Sequence, residues 1–96
     1  MEWRDDWEVV HHALKNNGDA LEFASDRLKN DEEIVRVAIG WYPMTMRFAS
    51  PTLRNNRMLI RDAVMITPDA LMYASDELKD DENYILSLMK HYSIYA

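Results

Sequence analysis

The sequence contains no cysteine. That excludes disulfide staples and every thiolate metal site, and it is compatible with a reducing compartment. Glycine occurs twice and proline three times in 96 residues, which leaves little room for long loops or hairpins. No apolar run approaches the roughly 20 residues that a membrane span requires. The opening stretch, MEWRDDWEVV, is acidic and polar, unlike the basic start and apolar run of a signal peptide. These absences lead to the expectation of a soluble, cytoplasmic protein with no membrane partner. Basic residues are also in deficit, 11 against 17 acidic ones for a net charge of −6. Such a chain repels phosphates, so no direct nucleic-acid partner is expected. What remains is 48% hydrophobic, ordinary for one globular domain and too much for bulk disorder.

What is present is a phrase written more than once. LEFASDRLKND, residues 21–31, returns as LMYASDELKDD, residues 71–81. A weaker copy, MRFASPTLRNN, lies halfway between at residues 46–56. At a step of 25 residues Phe23, Phe48 and Tyr73 align, as do Ser25, Ser50 and Ser75, and Leu28, Leu53 and Leu78. The other half of the unit has one additional copy: Val10, Val35, Ile60 and Ile85 align, and so do Ala13, Ala38, Ala63 and Leu88. The implied organisation is a half unit over 1–18, units at 19–43, 44–68 and 69–92, and a tail at 93–96.

Each unit reads as a short helix followed by a longer one. Ile34, Val35, Ala38 and Ile39 follow the spacing of one helical face. Asp5, Asn30, Asn55 and Asp80 stand where N-caps are needed, and Asp5 with Glu8 and Asn30 with Glu33 have the spacing of capping boxes. Gly18, Pro43, Pro68 and Ser93 occupy the stops, where glycine permits a left-handed backbone and proline ends a helix. Long helices are therefore predicted at about 6–16, 31–41, 56–66 and 81–92, with short ones near 20–26, 45–50 and 70–76. The fold class is all-α: stacked two-helix repeats of 25 residues, in a small α-solenoid or compact helical array, because such a unit cannot bury its apolar face alone. An ordinary helical bundle without stacking is the competing arrangement.

The stretch ALEFASDRLKNDEEIVRVAI resembles the short helical repeat known as domain of unknown function 4116. Ala20 to Ser25, Leu28 to Asp31 and Ile34 to Ile39 carry the likeness, and Ala70 to Ser75 with Leu78 to Asp81 repeat it. The middle unit departs from the pattern, with Met44-Thr45-Met46 for the Ala-Leu opening and Asn56 for an aspartate. Pro43 and Pro68 stand where that family often has glycine. The resemblance implies a fold and brings no catalytic residue or cofactor with it.

A search for chemistry returns little. His11 and His12 are adjacent and point about 100° apart on a helix, and His91 is remote, so none has metal-ligand spacing. A serine recurring at three equivalent places is better suited to shaping a turn than to nucleophilic attack. The acidic runs Asp31-Glu32-Glu33 and Asp80-Asp81-Glu82 lack the alternating ligands and central glycine of a calcium loop, and read as helix starts. No phosphate-binding, dinucleotide or zinc motif is present. The expectation is a non-enzymatic protein with no cofactor and no metal.

Charge is unevenly distributed. Residues 1–43 carry five basic and ten acidic side chains, residues 44–68 four basic and one acidic, and residues 69–96 two basic and six acidic. The basic waist consists of Arg47, Arg54, Arg57 and Arg61, of which the last three have the spacing of a helix-side ridge. They are the candidate partner-binding residues, since arginine is enriched at protein interfaces; pairing with acids of adjacent units is the plainer use for them. Met44, Met46, Met58 and Met65 gather in the same unit, fit to fill an irregular core or to line an adaptable surface. Trp3 and Trp7 would cover the first unit. Tyr92, Ile94 and Tyr95 fall where another short helix would begin, and form a candidate edge for self-association into a homo-oligomer. The function expected is a protein-interaction module with a protein partner. The alternative is a small acidic inhibitor that lays its two acidic clusters in a basic groove of a nucleic-acid-processing or host-defence enzyme.

Overall fold

The computed structural model describes residues 3–93, with side chains as far as Lys90. Among the described residues every regular element is helical. After a 3-10 turn at Trp3–Asp5 come α1 (Trp7–Asn16), α2 (Ala20–Phe23), α3 (Asp26–Lys29) and α4 (Glu32–Trp41). A 3-10 segment, Pro43–Phe48, leads into α5 (Pro51–Arg54) and α6 (Arg57–Ile66). A second, Pro68–Tyr73, leads into α7 (Asp76–Lys79) and α8 (Glu82–Ser93). The all-α class and the long helices are as expected, to within a residue at each end. None is long and apolar enough to cross a membrane.

The helix starts lie one residue beyond the expected caps. Asp6 accepts from the N–H groups of Glu8 and Val9, Asp31 from Ile34, Asn56 from Met58 and Leu59, and Asp81 from Tyr84. Asp5, Asn30 and Asn55 face elsewhere. Each accepts a hydrogen bond from the hydroxyl of Ser25, Ser50 or Ser75, at 2.6 Å for the first two. The same serine oxygens accept from the N–H of Leu28, Leu53 and Leu78 at 3.2–3.3 Å, capping α3, α5 and α7. Backbone bonds lie alongside, from Ser25 N–H to Arg4, Ser50 to Lys29 and Ser75 to Arg54 carbonyls, at 2.7–3.0 Å. Each expected short helix ends before its serine, with the residue pairs at 24–25, 49–50 and 74–75 extended, and the serine then caps a further one-turn helix, α3, α5 or α7, that was not expected.

The stops also differ in cause. No glycine adopts a positive φ. A Cβ on Gly18 would lie 2.5 Å from two ring carbons of Tyr42 and 2.8 Å from its Cβ, so close approach is what requires glycine there. Pro43 and Pro68 begin the 3-10 segments, where proline's fixed φ suits a first helical position.

Packing buries one apolar stripe of each long helix. Val10 and Leu14 of α1, Ile34, Val35, Ala38 and Ile39 of α4, and Leu59, Ile60, Ala63 and Val64 of α6 form the core with Leu28, Leu53 and Leu78. Full burial of a side chain of this size contributes about 1.5–3 kcal/mol. Helix α4 packs between α1 and α6, and Pro43–Phe48 lies against both α4 and α6. Pro68–Tyr73 lies against α6 and against Pro43–Phe48. The aromatic positions are unequal: Phe48 and Tyr73 pack on the core, whereas Phe23 is exposed. Trp7 packs on the core and stacks on His11, ring centres 4.7 Å apart, while Trp3 is exposed, so of the two expected covering residues Trp7 does the covering. The molecule measures 47 × 25 × 16 Å along its principal axes.

Candidate partner-binding surface

Arg54, Arg57 and Arg61 do not form one helix-side ridge. Arg54 ends α5 while Arg57 and Arg61 belong to α6, with Asn55 and the cap Asn56 turning the chain between them. Arg47 is in the 3-10 segment Pro43–Phe48. Two of the four are spent inside the fold. Arg54 donates from Nε to the Tyr73 carbonyl at 2.7 Å, and its own carbonyl takes the Ser75 N–H. Arg57 bonds Asp81 at 2.5 Å, its guanidinium carbon lies 5.1 Å from the Tyr84 ring centre, and its carbonyl accepts the Tyr84 hydroxyl at 2.7 Å.

Electrostatics follow this geometry. The hydrogen bond from Arg57 holds the Asp81 carboxyl below the ordinary carboxylate range, helped by the Tyr84 N–H, and the same bond raises Arg57. Burial pushes the Tyr84 phenol up, against the pull of Arg57. Asp5 is lowered by its hydrogen bond from Ser25 and then by that from Arg27.

The other two arginines are held loosely. Arg47 lies over the Phe48 ring at 4.5 Å, with Asp19 at 3.9 Å. It borders an open hollow of about 430 Å³ with Tyr42, Met44 and Phe48. Arg61 has Asp62 at 3.9 Å, and that carboxylate also takes Arg36 of α4 at 3.3 Å. Two guanidinium groups thus share one carboxylate. Arg61 remains 51% exposed, and Met58, one turn earlier on α6, is equally so. Leu86, at the equivalent place on α8, is 56% exposed. Arg36, which also pairs with Glu32 at 2.9 Å, was not singled out by the sequence; the signal was its alignment with Arg61 one step away. Tyr92, Ile94 and Tyr95 lie outside the residues whose side chains are described, as does His91.

Three of the six residues in the acidic runs are engaged. Asp31 and Asp81 cap their helices, and Glu32 accepts from Arg36 and from the Asn56 amide. Among the described residues no group of histidine and acidic side chains has the geometry to hold a metal ion.

Against known families, the model described as Domain of unknown function (DUF4116) matches twice, over residues 6–54 and 38–79. The chain belongs to that family. No curated protein and no solved structure matches it. The DUF4116 matches span α1 to α7, and so take in the Ser50 and Ser75 bonds, the basic waist and the core residues named above.

Proposed function

We propose that this DUF4116 protein is a non-enzymatic interaction module built of stacked 25-residue two-helix units, and that it holds a protein partner on the face around Arg61. The stacking is supported by the serine bonds, which recur with the same partners at Ser25, Ser50 and Ser75. Stacked units offer an extended surface whose side chains can change without altering the scaffold. The observation that carries the partner face is Arg61: half-exposed, with a carboxylate it shares with Arg36, and set near exposed Met58. A cation between adaptable apolar side chains suits an acidic protein segment with an apolar flank. Arg47, over Phe48 and beside its open hollow, supplies a second contact of the same kind.

The decisive comparison is between two charge reversals. Arg61→Glu should abolish capture of the protein that co-purifies from the native cell and leave the melting temperature within a degree or two. Arg57→Glu should lower the melting temperature, because it opposes Asp81 and uncovers Tyr84. Capture unaffected by Arg61→Glu, Met58→Glu and Arg47→Glu would reject the face. Self-association is tested separately by sedimentation of the purified protein. The acidic-inhibitor reading draws less support, since Asp31, Glu32 and Asp81 are bonded within the fold.

A further inference from the structure

The middle of α6, residues 58–65, reads MLIRDAVM, and from its midpoint outwards the residues match in pairs. Arg61 stands against Asp62, Ile60 against Ala63, Leu59 against Val64 and Met58 against Met65. The Ile60–Ala63 and Leu59–Val64 pairs are buried in the core. Met58, Arg61, Asp62 and Met65 have the three-and-four spacing that sets side chains on one helical face. That face is open. Met58 and Arg61 are each 51% exposed and the Asp62 side chain 38%, with Met65 packed partly on the core beneath. The adjacent long helices lack the symmetry, with Glu33, Arg36, Val37 and Gly40 at the matching places of α4 and Asn83, Leu86, Ser87 and Lys90 at those of α8.

The polar pair has capacity left over. Asp62 Oδ2 accepts from Arg36 at 3.3 Å, while its Oδ1 is 3.9 Å from Arg61, beyond hydrogen-bond length. Among the described residues Arg61 makes no hydrogen bond and Asp62 Oδ1 accepts none.

We infer that this face pairs with the same face of a second copy of the chain, α6 against α6 and antiparallel, about a two-fold axis between Arg61 and Asp62. A two-fold interface needs one patch that complements itself, and residues 58–65 supply it. Each Arg61 bonds Oδ1 of the other copy's Asp62, so charges alternate in sign around the axis. Each Met58 covers the other copy's Met65, and Ile66, 56% exposed, extends the apolar flank. The pairing rests on the partner face proposed above and names its occupant: Asp62 between Met58 and Met65 is itself an acidic group with an apolar flank. Two chains of net charge −6 repel at a distance. At physiological salt that repulsion is screened beyond about 8 Å, and the contacts at the axis lie inside that range.

The test is sedimentation velocity of the full chain up to about 1 mM, where even a weak interface is populated. A concentration-dependent shift from 11.3 kDa to twice that mass is expected. Arg61→Asp and Asp62→Arg should each raise the dissociation constant about tenfold or more, because each sets like charges across the axis. An equimolar mixture of these two variants should dimerise as the parent does, since arginine then meets acid at both contacts. Recovery in the mixture cannot arise from misfolding of either variant. A parent that stays monomeric, association indifferent to both variants, or a mixture that stays monomeric overturns the inference. A monomeric parent whose capture of another protein is lost in Arg61→Glu removes the second copy and leaves the partner face standing. A monomeric parent whose capture survives Arg61→Glu, Met58→Glu and Arg47→Glu removes both.

Discussion

Ser50 illustrates how much one hydroxyl can hold. Its oxygen donates to Asn30 and accepts from Leu53, while its N–H bonds Lys29. Ser50→Ala keeps the backbone bond and loses the cap and the Asn30 bond, so a loss of about 1–2 kcal/mol is expected in chemical denaturation. The two glycines make a sharper pair. A methyl on Gly18 would strike the root of the Tyr42 side chain, which cannot swing away as a flexible tip would. Gly18→Ala should therefore destabilise by about 1–3 kcal/mol. Gly40, within α4, has nothing within 4 Å of its added methyl. Gly40→Ala should stabilise by about 0.5–1 kcal/mol, through a less flexible unfolded chain. Opposite signs in one urea series would check both.

At the scale of elements, acid should loosen the join between α6 and α8. Asp81 has a lowered carboxyl pKa because Arg57 bonds it, and Asp5 because Ser25 and Arg27 do. A depressed folded-state pKa contributes stability that is present above the unfolded value, near 3.8 here, and lost as pH falls through the lower folded value. Melting temperature should hold steady near neutrality and drop below about pH 4, less steeply in Asp81→Asn. The long helices were legible because Ile34, Val35, Ala38 and Ile39 carry a clear period and because acids crowd their first turns. Their caps were misplaced by one because Asp5-Asp6 and Asn30-Asp31 offer two adjacent residues of equal capping ability. At Asp5, Asn30 and Asn55 the first residue of the pair is taken up by the serine twenty residues onward, a tertiary contact, whereas at α8 Asp81 caps without such a serine. The one-turn helices α3, α5 and α7 went unpredicted because four residues carry no period and their start depends on the serine cap. The arginine roles divided only in three dimensions. Arg57 and Arg61 have the same type and the same helix, yet one meets Asp81 and the other shares a carboxylate.

At the scale of the whole molecule, the proposed partner face predicts a difference between binding and stability. Arg61→Glu should act on capture and Arg57→Glu on melting, as measured by pull-down and calorimetry on the same preparations. The long-range side-chain hydrogen bonds described span 19 to 27 residues. Each segment thus meets its own neighbour in the chain and little beyond it. Loops to be closed are short, and the entropy lost in closing them grows with their length. So shallow a wiring should let the chain collapse to order within microseconds to milliseconds, far faster than a β-sandwich of equal size. Stopped-flow or temperature-jump refolding would read that speed directly, and a slow, seconds-long phase would speak against it.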